Sequence, residues 1–188
     1  MDSARPSGSG RRVALWFLVF TAFSSGCDLG TKAWAQHALG EPGSSISVVE
    51  PWLEFSLAYN RGTAFSVIPH LGQMRWLFAL LAVGVVAMLF TIAMRRRPRI
   101  RELLALGLIA GGAIGNGYDR AFRLTPAGDT AVIDFIRVNI TPTYSWPTFN
   151  VADAWLLIGV AWLLWMGLRR APDEPAATAT TAATAARS

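Results

Sequence analysis

The amino-acid sequence predicts a membrane all-α protein: a four-transmembrane-helix bundle with a small extramembrane antiparallel β-sheet on one side. Three observations lead there. Of the 188 residues only 15% are charged and 53% are hydrophobic, against roughly 25% charged in ordinary soluble domains. Several apolar runs approach the roughly 20 residues that a helix needs to cross a bilayer. At Ile46 and Val48 and again from Leu53 to Tyr59, by contrast, apolar residues recur at every second position, which is the period of a half-buried strand.

The polar, Gly/Ser/Pro-rich start, MDSARPSGSG, predicts a disordered N-terminus over 1–12. Arg11 and Arg12 then precede the apolar run Val13–Phe23. With Ser24-Ser25-Gly26-Cys27 behind it, this run has the form of a secretory signal ending in a lipoprotein cleavage box. That reading would make the chain a lipid-anchored protein cut before Cys27. It fails because Ser24 stands where a branched aliphatic is usual, and because the later spans describe a polytopic protein. The first span therefore covers about 13–32. Asp28 and Lys32 fall in its last turns, four residues apart and so on one face. They are either an interfacial ion pair or support for a site, since ionisable residues within spans are functional candidates. Cys27, the single cysteine, excludes an intrachain disulfide and is expected to be a small buried hydrophobe.

Residues 44–68 predict the sheet. Ile46 and Val48 alternate with polar neighbours, as do Leu53, Phe55, Leu57 and Tyr59, and Pro42-Gly43 and Pro51 punctuate the strands. Asn60-Arg61-Gly62 has turn chemistry, so Asn60 is open to either a turn role or a functional contact. The second span, about 76–94, is free of charge. Arg95, Arg96, Arg97, Arg99 and Arg101 follow it. The third span covers about 103–118, where Gly107, Gly111 and Gly115 recur every four residues and allow a neighbouring helix close. Asn116, Asp119 and Arg120 end it, with Asp119–Arg120 either a simple ion pair or part of a site. The fourth span covers about 151–168, and the low-complexity Ala/Thr tail over 171–188 is expected to be disordered.

Arginine-rich connections lie on the cytoplasmic side of a membrane, so Arg11-Arg12, the Arg95–Arg101 cluster and Arg169-Arg170 put both termini inside. Two outer segments result, and Asp28, Asp119, Asp134 and Asp153 all gather at that outer level. Trp34, Trp76, Trp146 and Trp155 form a belt there, with Trp16 and Trp165 toward the inner face. The net charge of +5 and pI near 10.3 would suggest nucleic acid in a soluble protein. Here the arginines flank apolar spans, and no nucleic-acid partner is expected.

The chemistry can be approached by elimination. A zinc peptidase wants paired histidines one helical turn apart, whereas His37 and His70 stand singly in predicted loops. A serine or cysteine enzyme wants a base within reach, and neither Cys27 nor any glycine-flanked serine has an evident one. GGAIGNG lies in a span with no lysine and is not a phosphate loop. Paired carboxylates remain. Two aspartates held close share a proton, so that one activates water while the other donates. Asp134 sits in the apolar extended segment AVIDFIRV and Asp153 opens an apolar helix, with Asn150 one turn earlier to orient it. A proton-coupled transporter using membrane aspartates is the runner-up, but such relays place their acids near the midplane.

Five ordered motifs stand at these residues: D-x-x-T-K at Asp28–Lys32, N-R-G-x-A-F at Asn60–Phe65, G-N-x-x-D-R at Gly115–Arg120, V-x-D-F at Val132–Phe135 and F-N-x-A-D at Phe149–Asp153. In this order on four spans, the chain over about 13–168 closely resembles the lipoprotein signal peptidases, the type II signal peptidases of bacteria. The resemblance implies a multi-pass aspartyl endopeptidase of the inner membrane, without metal or cofactor. It would remove signal peptides from diacylglyceryl-modified prolipoproteins on the N-terminal side of the lipidated cysteine. It further implies a periplasmic active site beneath the sheet, which forms a cradle, and a monomer working among membrane lipids. Asp134 and Asp153 match the catalytic pair. Asp28, Asn60, Asn116, Arg120 and Asn150 match residues that support the pair or contact substrate, Asp119 belongs to the same block as Asn116 and Arg120, and Lys32 and Arg61, which lie within two of the motifs, are further candidates for those roles. The Arg120–Asp134 connection is a few residues longer than is usual, and the tail is extra.

Overall fold

The computed structural model describes residues 8–62 and 75–169. Four helices and four strands follow one another as α1 (Gly8–Leu39), β1 (Ser45–Val49), β2 (Leu53–Asn60), α2 (Arg75–Arg96), α3 (Ile100–Phe122), β3 (Val132–Thr141), β4 (Tyr144–Ser145) and α4 (Val151–Leu168). Helices α1, α2 and α4 are long and apolar enough to cross a membrane. They leave large apolar side chains such as Leu80, Val83, Leu157 and Leu164 bare, a surface that suits lipid and not water. Helix α3 is not among them. Its glycines and its charged ends dilute its apolar character, and most of its length is buried among the other three helices.

The glycine row does what its spacing predicts. A Cβ on Gly107 would meet Phe20, one on Gly111 would strike Ser24, and one on Gly115 would strike the carboxylate of Asp28. Three α3 positions four apart thus face three α1 positions four apart, and the two backbones approach at each step. Ser24 Oγ confirms the closeness by reaching across to the Gly107 carbonyl at 3.0 Å.

Helix α1 corrects the expected boundaries. It begins at Gly8 instead of near Val13, so residues 8–12 are helical and not disordered, and it runs to Leu39 instead of Lys32. His37 accordingly lies in a helical turn and not in a loop. The seven residues beyond Lys32 add about 10 Å of helix. Their inner face explains the extension: Ala35 and Leu39 are buried against Leu57, Ile133 and Phe135 of the sheet, and Trp34 stacks edge-on against Phe55 and Phe135 at 5.2 and 6.3 Å. Cys27 is half-buried, not buried. The expected disordered segments at 1–7 and 171–188, part of the sheet range at 63–68, and His70 lie outside the described residues.

The sheet is antiparallel in the order β1-β2-β3-β4. The alternation in β2 holds in part: Phe55, Leu57 and Tyr59 pack in one cluster, but Ser56 is as buried as Leu57, at the register shift between Phe55 and Ala58. Strand β1 departs from expectation, since every residue of it is exposed. The sheet also draws two strands from beyond residue 130. Val132–Thr141 pairs with β2 and places Asp134 opposite Ala58, just past a register shift between Phe55 and Ala58.

Candidate active site

Asp134 and Asp153 are 19 residues apart (153 − 134), and the path between them is set by backbone pairing. After β3, Pro142 falls in the turn into β4. The chain then returns along β3: Phe149 accepts from the N–H groups of Phe135 and Ile136 at 3.0 and 2.8 Å and donates to Ile136 at 3.0 Å. That clip fixes Asn150 beside Asp134. Asn150 is extended (φ −129°, ψ 178°) and caps α4, its side chain accepting from Asp153 N while Asp153 accepts from Asn150 N. This reciprocal capping box holds Asp153 in the first turn of the helix.

Two asparagines, Asn150 and Asn116, join the two carboxylates, and a third, Asn60, holds Asp134. Asp134 Oδ1 accepts from Asn150 Nδ2 at 2.7 Å and Oδ2 accepts from Asn60 Nδ2 at 3.0 Å. Asp153 Oδ1 accepts from Asn116 Nδ2 at 2.8 Å, and Oδ2 from Asn150 N at 3.2 Å. Asn150 Nδ2 also lies 3.2 Å from Asn116 Oδ1, so one continuous chain of amides connects Asp134 to Asp153. Asp134 is only 3% exposed. Burial pushes its carboxyl from the ordinary 3.8 up to about 6, opposed by the Asn60 hydrogen bond and assisted by the charge of Asp153.

Beneath this pair lies a second layer of charge. The Lys32 ammonium contacts Asp28 at 2.7 Å, Asp119 at 3.0 Å and Asn116 Oδ1 at 2.9 Å, with the three charged side chains wholly buried. Asp119 also pairs with Arg123 at 2.6 Å, so two cations face two carboxylates. Each carboxylate has a backbone partner as well: Asp28 accepts from Ala152 N at 2.8 Å, next to Asp153, and Asp119 from Ile133 N at 3.2 Å, next to Asp134. The layer thus grips the backbone adjacent to both upper aspartates.

Of the residues expected at a site, Asp28, Lys32, Asn60, Asn116, Asp119, Asp134, Asn150 and Asp153 come together here. Asn60 fills both of its possible roles, since its Oδ1 accepts from Gly62 N at 2.8 Å within the turn. Two residues do not join. Arg61 pairs with Asp129 at 2.5 Å on the exposed rim, which holds the Asp129 carboxyl below its ordinary range. Arg120 lays its guanidinium over the Phe78 ring at 4.8 Å. The possible Asp119–Arg120 ion pair is therefore corrected: adjacent helical residues point about 100° apart, and the partner of Asp119 is Arg123, one turn on. Arg123 and Gln36, which it contacts at 3.2 Å, were not singled out, although the spacings Asp119–Arg123 and Lys32–Gln36 mark both.

The chain as a whole is similar to known proteins. The family model for signal peptidase (SPase) II matches residues 20–169. The chain is 41% identical over 122 residues to a lipoprotein signal peptidase of Teredinibacter turnerae, covering 64% of this chain and 68% of that one. With that of Methylorubrum extorquens it shares 36% over 171 residues, 82% and 92% of the two chains. With that of Xanthomonas axonopodis pv. citri it shares 34% over 174 residues, 92% and 94%. A bacterial membrane enzyme solved in meso at 1.9 Å shares the fold, with a TM-score of 0.69 at 24% identity over 82% of this chain and 94% of that one. By the extent of the family match and these relatives, the chain belongs to the signal peptidase II family.

Proposed function

We propose that this protein is an aspartyl endopeptidase that removes the signal peptide from diacylglyceryl-modified prolipoproteins, cutting before the lipidated cysteine. The observation that carries this reading is the amide chain through Asn150 and Asn116 that joins Asp134 to Asp153. Asp134, buried and with a raised pKa, holds the shared proton and gives it to the scissile carbonyl oxygen. Asp153 lies at the positive end of α4, where negative charge is favoured, and takes a proton from the attacking water. Collapse of the tetrahedral intermediate passes that proton to the leaving amine, and Asp134 recovers its own. The amides fix both carboxylates so that no reorganisation is needed as charge moves.

The membrane reading follows the charges. Arg11, Arg12, the Arg95–Arg101 cluster and Arg169 lie at one end of the bundle and the aspartate pair at the other, which supports four spans with a cytoplasmic arginine end and a periplasmic site. Helix α3, shielded by its neighbours, can span without an apolar lipid-facing surface. A single domain over 13–170 acting as a monomer suffices, since one chain supplies both carboxylates. Substrate enters sideways from the bilayer, its acyl chains along the exposed apolar helices. The test is purified protein with lipidated and unlipidated precursor, product size read on a gel: cleavage of the lipidated form alone is expected, and no cleavage of either refutes the reading.

A further inference from the structure

At the end of the bundle opposite the aspartates, the α2–α3 connection and the last turn of α4 enclose a cavity of about 760 Å³. Among the described residues Arg96, Arg97, Arg99, Arg101 and Arg169 line it, with Glu102 the one acid in its wall. One carboxylate against five guanidinium groups gives these described lining residues a charge of about +4 (5 − 1). A preference for arginine beside membrane spans accounts for basic residues at this end, but not for their convergence on one hollow.

Two features of the wall narrow the ligand. Arg97 has φ 46°, in the left-handed region that favours glycine at a helix end. Its amide closes α2 by donating to Ala93 O at 3.0 Å. A position suited to glycine thus carries a guanidinium, braced by a 3.1 Å contact from Arg97 Nη1 to Ser9 Oγ. The opposite wall is amphipathic: Arg169 lies 4.2 Å over the Trp165 ring, and Trp165 continues into the bare apolar flank of α4 at Leu164 and Leu168. A ligand seated here meets planar cationic forks on one side and lipid-facing side chains on the other. We propose that this cavity binds the phosphate headgroup of an anionic membrane phospholipid, with its acyl chains along the end of α4. Guanidinium groups grip phosphate bidentately, which lysines do not.

The full chain, purified in detergent, would be offered equimolar phosphatidylglycerol and phosphatidylcholine, and bound lipid counted by native mass spectrometry. The acidic lipid should be retained about tenfold over the neutral one, a difference of the order one well-formed charged contact supplies. Arg97→Lys/Arg99→Lys/Arg169→Lys preserves net charge and membrane orientation, and should remove most of that preference. Arg11→Lys/Arg12→Lys/Arg95→Lys, outside the cavity, should not. Equal losses in the two triple variants, or no loss in the first, would show diffuse charge attraction and overturn the site. Displacement of phosphatidylglycerol by an equal concentration of inorganic phosphate would assign the cavity to soluble phosphate and overturn the lipid.

Discussion

Lys32 donates to Asn116 Oδ1 at 2.9 Å, and this contact decides which way the amide faces. With Oδ1 receiving both Lys32 and Asn150, Asn116 Nδ2 is left to donate to Asp153 Oδ1 at 2.8 Å. A lysine that does not touch Asp153 thereby orients it.

Replacing that lysine should disable the fold before it disables the chemistry. Lys32→Met would leave Asp28 buried without a cationic partner and Asp119 with Arg123 as its one remaining cation. Removing one partner of a buried ion pair costs about 3–5 kcal/mol, so the unfolding midpoint in detergent should fall steeply. Asp28→Asn combined with Lys32→Met should recover part of the loss, and thermal unfolding of the single and double variants reads that coupling directly.

Asp134→Asn and Asp153→Asn should each lower cleavage of a lipidated precursor by at least about 10²–10⁴-fold, the range that acid–base groups supply, while leaving membrane insertion intact. Turnover near that of the unchanged protein in either variant would exclude that residue from the reaction.

Asp134 also predicts a pH dependence of stability. Burial raises its carboxyl from 3.8 to about 6, so between those values the folded chain binds the proton more tightly than the unfolded one. The resulting penalty is absent below about pH 4 and fully present above about pH 6, where the shift corresponds to about 3 kcal/mol. Asp134→Asn removes the titrating group, so its unfolding midpoint relative to the unchanged protein should rise between pH 4.5 and 7.5. A gap constant across that range would contradict the burial account.

Two glycines separate packing from propensity. Gly115→Ala places a methyl group against the Asp28 carboxylate and should destabilise the protein and reduce cleavage together. Gly30→Ala meets nothing within 4 Å and should be neutral or raise stability by up to about 1 kcal/mol, the helix preference for alanine. Unfolding midpoints of both variants are the measurement.

On the rim, Arg61→Ala breaks an ion pair whose side chains are 50% and 44% exposed. Solvent screens such pairs, which are worth at most about 1 kcal/mol. The unfolding midpoint should barely move, and any large loss of cleavage in this variant would place Arg61 against substrate.

The sequence reveals some of this site and hides the rest for definable reasons. Spacing along one element is legible: Asp28 and Lys32 pair because four residues return a helix to the same face, and the glycine row meets its partner helix because it keeps that step. Contacts between elements are not. Nothing local shows that β3 pairs with β2, or that Phe149 clips to Ile136 and sets Asn150 between the aspartates. The resemblance names the residues involved, but the amide chain emerges only when strands distant in sequence close the register. Arg120 shows the converse, since nearness in sequence to Asp119 left an ion pair open, whereas adjacent helical residues point apart and Arg120 turns to Phe78.

The capping box at the start of α4 ties chemistry to helix integrity. Asp153 Oδ2 is the acceptor for Asn150 N, so in the proposed reaction a proton taken up by that carboxylate would weaken the bond by removing its charge. The first turn of α4 would then loosen, and with it the amide that steers Asp134. Recovery of the negative charge would tighten that turn again, so the charge state of Asp153 and the firmness of the start of α4 are linked through one hydrogen bond.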